Sequence, residues 1–276
     1  MSHHPSLQGR VALVTGVSRR IGIGTAIAQR LLSEGASVLV SGFEPHDEEM
    51  PWSTDPGGAR KELARHEAAD RLHHHDDADF EDPETADRLV AATIERFGAI
   101  DIVVANHARS SHQPFETVTA EELDKCWAIN TRGSLLLAKS LYDRRYPGPG
   151  GRLILFTSGQ HIAPMPGEIA YAVSKGAIHQ MTATLADAMI DRGVTVNCIN
   201  PGPTDTGYEE GRARVIVEQM FPARRWGSTE DVANLVAWLV SDQAAWITGQ
   251  VHISEGGFRR WAPIGLTIHQ PVPRGS

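Results

Sequence analysis

Val11-Ala12-Leu13-Val14-Thr15-Gly16-Val17-Ser18-Arg19-Arg20-Ile21-Gly22-Ile23-Gly24 runs from an apolar segment through a glycine-rich turn into a helical pattern. The four apolar residues read as a buried strand, and the glycines as a tight turn. Beyond Gly24, the residues Ala26, Ile27, Leu31 and Leu32 fall at helical spacing, and Gly35 marks the helix end. Val38-Leu39-Val40 is the next strand, with further strands predicted over 100–105, 153–156, 194–199 and 251–254. Segments 83–97, 121–142, 171–191 and 229–240 read as helices. Strand–helix alternation with apolar strands predicts an α/β fold, a parallel sheet covered by helices on both faces. In such a doubly wound sheet, ligands bind beyond the carboxyl ends of the strands.

Composition narrows the function classes. The chain has 276 residues, of which 41% are hydrophobic and 22% charged, so a sizeable core is available. With 34 acidic against 26 basic residues the net charge is −8, a poor match to nucleic acid. Cys126 and Cys198 make neither a disulfide scaffold nor a metal-binding pair. No apolar run has the ~18 residues of a membrane span. Residues 1–10 lack a secretory apolar core, so a cytoplasmic location is expected. The length admits one domain or two. Residues 43–59, with Pro45, Pro51 and Pro56, read as an enlarged loop; 203–222 read as a lid; 1–8 and 263–276 read as terminal arms, Pro273 to Ser276 resembling a vector-derived scar.

The turn suits a phosphate, because glycines admit close backbone approach and the helix start offers free N–H groups. NAD sites often place an acid about 20 residues further on, at the end of the second strand. Gly42 stands there instead. Ser18, Arg19 and Arg20 offer donors for a 2′-phosphate, which favours NADP(H) over NAD(H). Glu44, in a shifted register, is the alternative acid. Tyr171 and Lys175 share a helix face at a spacing of four. A nearby Lys⁺ is expected to lower a phenol's pKa from ~10 and ready it for proton transfer. Ser158 stands just past the 153–156 strand, at its carboxyl end.

Together these motifs resemble the short-chain dehydrogenase/reductases over about residues 9–258. Thr15, Gly16, Gly22, Ile23 and Gly24 are similar to the family's glycine motif, with a loop two residues longer than usual. Asp79 resembles the adenine-binding Asp, and Asn106 the one matching residue of the family's Asn-Asn-Ala-Gly segment. Asn130, Ser158, Tyr171 and Lys175 match the catalytic set; Pro201, Gly202 and Thr204 match the segment that touches the nicotinamide. The resemblance implies a single Rossmann-type domain over 1–276 with a seven-stranded sheet. It also implies hydride transfer to a carbonyl and a homotetramer. In that scheme Tyr171 gives the proton and Ser158 orients the oxygen. Lys175 depresses the Tyr171 pKa and binds the ribose, and Asn130 holds a water of the proton path.

Bacterial 3-oxoacyl-[acyl-carrier-protein] reductases look nearest in character, making an acyl thioester one expected substrate. Arg212, Arg214, Arg224 and Arg225 would then dock the acidic carrier. A secondary-metabolite ketoreductase or a sugar or alcohol dehydrogenase is the alternative. Enoyl reductases space Tyr and Lys further apart, and a non-catalytic NADP-sensing regulator should lack part of the catalytic set. His73 to His75 alternate faces on a strand and do not converge on a metal, so no metal site is expected. His107 and His161 either line the substrate pocket or pack; Gln160 is a wall candidate. Trp52 either touches substrate or packs within its loop.

Overall fold

The computed structural model describes residues 6–55, 57–76, 78–209 and 211–260. The expected tail 263–276 and most of the expected N-terminal arm lie outside them. At the arm's inner end, Ser6 and Leu7 are packed: Leu7 is fully buried and Ser6 donates to Glu34 through its N–H and its hydroxyl.

Strands β1 (Val11–Thr15), β2 (Ser37–Ser41), β3 (Leu72–His75), β4 (Ile102–Ala105), β5 (Gly151–Phe156), β6 (Val194–Asn200) and β7 (Val251–Ile253) form one parallel sheet, ordered β3-β2-β1-β4-β5-β6-β7. Successive side chains of a strand point to opposite faces, so an all-apolar strand feeds two cores. Ala12 and Val14 enter the core beneath α1 (Ile23–Ser33) and α9 (Thr229–Val240), with Ile27, Leu31 and Val236. Leu13 enters the opposite core, with Leu89 of α4 (Thr85–Phe97), Leu137 of α6 (Gly133–Arg144) and Ile178 of α7 (Ile169–Ile190). Each fully buried Leu contributes roughly 1.5–3 kcal/mol of transfer free energy. The three consecutive histidines complete β3, where His73 pairs with Leu39 and His74 with Val40.

Three segments differ from the sequence expectation. The single helix predicted over 121–142 is α5 (Ala120–Cys126), a wide π turn (Trp127–Arg132) and then α6. Hydrophobic periodicity does not register an extra residue per turn. The turn's carbonyls serve side chains instead: that of Ile129 accepts from His107 Nε2 and that of Asn130 from the Ser134 hydroxyl. Loop 43–59 holds a short helix, α2 (Pro45–Glu48), and leads into α3 (Gly58–Leu63). Segment 203–222, expected as a lid, contains α8 (Gly211–Met220), behind which the Trp226 indole donates to the Arg214 carbonyl.

Candidate active site

The strand order reverses between β1 and β4, and there the carboxyl ends of the strands open a groove. Its floor is the glycine turn. Gly16 adopts a left-handed φ of +72°, and a Cβ on it would stand 2.7 Å from the His107 Cα. A Cβ on Gly24 would stand 2.6 Å from the Gly16 carbonyl oxygen. The Asn106 amide holds the turn by donating to the carbonyls of Thr15 (3.1 Å) and Gly16 (3.0 Å). Helix α1 begins after Gly22 with no side-chain cap, so its first N–H groups remain available to an anion.

The groove is lined by Gly16, Ser18, Arg19, Gly22 and Ile23 on one bank, and by Asp79, Phe80, Asn106 and His107 on the other. Two features make it fit a dinucleotide. The glycine cradle leaves no room for side chains where a pyrophosphate would approach. The Ser41 hydroxyl, on a residue 1% exposed at the end of β2, lines the groove with no hydrogen-bond partner among the described residues. An orphaned buried hydroxyl is costly unless a ligand satisfies it.

The three residues expected at a 2′-phosphate separate in space. Ser18 lines the groove beside Gly42. Arg19 lines it too, but its guanidinium donates to the Thr206 carbonyl (2.9 Å) and sits 5.6 Å from the Trp52 ring centroid, on the lid side. Arg20 is not a groove residue: its side chain is 60% exposed and lies 3.8 Å from Asp55. The insertion that lengthens the turn carries Arg20 outward, which spacing alone does not reveal. Gly42 has a steric cause. A Cβ there would stand 2.6 Å from the Val17 carbonyl oxygen, because Val17 donates its N–H to Ser41 O at 2.8 Å.

A second cavity of about 580 Å³ opens beside the groove and shares Arg19, Ile23, Trp52 and Ser110 with it. Ser158 and Tyr171 face this cavity, as do Pro201, Gly202 and Thr204 after β6. The Ser158 hydroxyl is close enough to the Tyr171 phenol to act on its pKa. Burial pushes that phenol up to about 12; Ser158 pulls it down and the Glu168 carboxylate, one helical turn away, pushes it further up. Lys175 is buried one turn further along the helix. Its ammonium donates to the Phe156 carbonyl at 3.0 Å and stands 5.7 Å from the Tyr171 ring centroid. Burial lowers its own pKa to about 8. Helical spacing set the shared face, but the carbonyl ending β5 captures the ammonium.

Asn130 is fully buried and lines neither cavity. Its Nδ2 donates to the Arg109 carbonyl (3.0 Å) and the Ser174 hydroxyl (2.9 Å), and its Oδ1 accepts from the Arg109 N–H (2.7 Å). Both amide hydrogens are used, so the side chain ties the π turn to α7 and to the segment after β4. His107 is a packing residue of the groove wall. It stacks on Phe80 at 3.6 Å, and its Nδ1 lies 2.7 Å from the Thr15 hydroxyl. Burial, then the nearby Lys175 charge, lowers its pKa to about 3, so it is neutral. Gln160 bonds Thr157 and the Ser158 N–H and shapes the turn rather than the cavity wall. His161 is exposed, 4.5 Å from the His179 ring. Cys126 and Cys198 are buried free thiols.

Several site residues carry no local sequence signal. Arg109 brackets Asn130 with its backbone, while its guanidinium binds both Glu122 oxygens (2.9 and 3.1 Å) and Glu49 (2.8 Å). Arg260 reaches the second cavity, paired with Glu255, which also accepts from Asn200 Nδ2. Asn200 Oδ1 in turn accepts from the Gly202 N–H (3.0 Å), so this chain sets the turn at Pro201–Thr204. A charged residue just past the last strand is the available signal for Arg260. Among the described residues no three His, Cys, Asp or Glu side chains converge as metal ligands, and no helix is long and apolar enough to cross a membrane.

Comparison with known proteins agrees with this geometry. Residues 16–259 match a family profile described as enoyl-(acyl carrier protein) reductase. An uncharacterized oxidoreductase of Bacillus subtilis, YjdA, is 35% identical over 94% of this chain and 100% of its own. Versicolorin reductase 1 of Aspergillus parasiticus is 33% identical over 93% and 99%. The crystal structure of a short-chain dehydrogenase from Burkholderia cenocepacia in complex with NADP superposes with a TM-score of 0.80, at 32% identity over 91% and 98% of the two chains. With its seven-stranded parallel sheet, its glycine cradle and these relatives, the chain belongs to the short-chain dehydrogenase/reductase family of NAD(P)-dependent oxidoreductases.

Proposed function

We propose that the protein is an NADP(H)-dependent reductase of ketones. The observation that carries this reading is the single cavity onto which Ser158, Tyr171 and the Pro201–Thr204 turn all open, contiguous with the glycine-floored groove. The cofactor supplies the hydride. Gly16, Ser18, Gly22, Ile23 and Gly24 would receive its phosphates, Asp79 and Asn106 its other bank, and Lys175 a ribose hydroxyl after leaving the Phe156 carbonyl. Tyr171 donates its phenolic proton to the substrate oxygen, and Ser158 holds that oxygen by a hydrogen bond. The raised phenol keeps its proton at neutral pH, which suits reduction. Asn130 acts as a positioning residue, through Arg109 and Ser174.

NADP(H) is favoured over NAD(H) because Gly42 cannot carry an acid, while Ser18 and the unpartnered Ser41 hydroxyl stand beside it. The NADP in the Burkholderia relative supports the same choice. Tyr171 and Lys175 one turn apart favour a carbonyl over an enoyl substrate. An acyl-carrier thioester gains less support, because two of the four arginines are committed: Arg214 pairs with Asp205 and Arg225 with Asp231. A solved relative at 33% identity, LugOII, described as catalysing keto-reduction at C1 during lugdunomycin biosynthesis, favours a biosynthetic ketone instead. A homotetramer would cover Leu123, Trp127, Leu135 and Val173 on the α5–α7 face and Trp246, which is 99% exposed, near β7. The deciding experiment follows NADPH and NADH oxidation against acyl thioesters, cyclic ketones and aldehydes. Ketone turnover with NADPH supports the proposal; cofactor binding without turnover of any substrate refutes it in favour of a sensing role.

A further inference from the structure

The enlarged loop crosses the cofactor groove as a strap. At one end, outside the groove beside the glycine turn, Arg20 N–H donates to Asp55 Oδ2 at 3.0 Å. At the other, Ser110 N–H donates to His46 Nε2 at 3.1 Å and Arg109 Nη1 to Glu49 Oε2 at 2.8 Å. Between these pins the strap carries Trp52, whose indole N–H is held by Asp47 Oδ1 at 3.0 Å. Trp52 lines both the groove and the substrate cavity. Arg19 sits 5.6 Å from its ring centroid and is itself tied to the lid through Thr206. The ring's orientation is therefore set from the strap, the glycine turn and the lid together.

The rest of the cavity wall is mixed. Tyr208, Phe258, Met165, Pro164 and Pro166 stand beside polar Ser110, His112 and Glu168, and the Arg260 charge is offset by Glu255. Tyr208 is fixed edge-on against Trp226 at 5.6 Å. A volume of about 580 Å³ is in the range that buries a multi-ring ligand. Rigid aromatic walls repay a flat ring by offset stacking, beyond the apolar area buried.

We infer that Trp52 is a specificity-determining residue: it selects ketones borne on a planar, fused aromatic ring system, and the strap delivers it to the substrate site. This rests on the ketone-reductase reading. Planar substrates bind against the indole face while Ser158 and Tyr171 receive the carbonyl oxygen. Small saturated ketones reach the same two residues without touching the indole.

The test compares 1-tetralone, a fused two-ring aromatic ketone, with cyclohexanone, at saturating NADPH. The ratio of their kcat/KM values is expected to fall about tenfold in Trp52→Ala and to stay within about threefold in Trp52→Phe, which keeps an aromatic face. A ratio that Trp52→Ala leaves unchanged overturns the inference; so does an equal loss on both ketones, which would mean that the residue serves only the strap or the cofactor. If the wild-type protein reduces neither these two nor any other ketone of the panel, the ketone-reductase reading fails on its own. Calorimetric titration of 2-naphthol into the NADP⁺-saturated protein then decides the role of Trp52. About tenfold weaker binding to Trp52→Ala supports it, and unaltered binding overturns it.

Discussion

Replacing Gly42 by Asp would, by the usual logic of dinucleotide sites, install the missing ribose-binding acid and turn the enzyme toward NADH. The structure predicts the opposite. A Cβ at this position lies 2.6 Å from the Val17 carbonyl oxygen, 3.1 Å from its carbonyl carbon and 3.3 Å from the Ser18 Cα. All three are backbone atoms of the glycine turn, so no side-chain rotation relieves the clash. Restoring ordinary contact at 3.4 Å requires the turn to retreat by about 0.8 Å. That movement strains the Val17–Ser41 hydrogen bond of 2.8 Å and the cradle built on Gly16 and Gly24. Overpacking of this kind costs about 1–3 kcal/mol. If it falls on the bound state, both NADPH and NADH dissociation constants rise about 5- to 150-fold. If it falls on folding, Tm drops by about 2–4 °C per kcal/mol. Fluorescence titration of both cofactors against Gly42→Asp and Gly42→Ala separates sterics from charge, because alanine brings the Cβ without the carboxylate. Similar losses in the two variants are expected. Tighter NADH binding by Gly42→Asp than by the wild type, with NADPH binding lost, would refute the reasoning.

Three further outcomes are expected. Tyr171→Phe lowers turnover by about 10²- to 10⁴-fold while fluorescence titration shows NADPH affinity within twofold of wild type. Glu168→Gln removes a negative charge that raises the Tyr171 phenol, so the alkaline rise in alcohol oxidation, read from a kcat/KM profile, moves to lower pH. His107 is 6% exposed, and its pKa falls from 6.5 to about 3 on folding, chiefly by burial. Its neutral form is the folded form, so its contribution is whole above about pH 6.5 and is lost as pH falls toward 3, by at most ~1.4 kcal/mol per pH unit. Urea unfolding between pH 7 and pH 5 should show a shallower decline in His107→Gln than in the wild type.

Much of this protein could be read along the chain because its determinants are local. An apolar strand followed by glycines and a helical pattern is a statement about consecutive residues, and β1, the turn and α1 stand where that pattern puts them. The spacing of Tyr171 and Lys175 places them on one face of α7 for the same reason. The single sheet and its parallel strands follow from the alternation of elements. What the chain could not show is what each side chain meets. The Lys175 ammonium is held by a carbonyl 19 positions earlier in sequence, at the end of β5. Arg20 is carried out to Asp55, and Asn130 is locked by Arg109 and Ser174. The π turn at Trp127–Arg132 adds one residue to a helical repeat that otherwise looks regular. Trp52, in a loop with neither strand nor helix periodicity, reaches the boundary of two cavities because its loop is fastened at the glycine turn and at Arg109. Sequence by itself determined the sheet, the cradle and the shared helix face of Tyr171 and Lys175, since short-range geometry and hydrophobic period suffice for those. Which charges are paired, which phenol is raised and which side chains share a cavity were decided by tertiary structure, because burial and electrostatics depend on neighbours far apart in the chain.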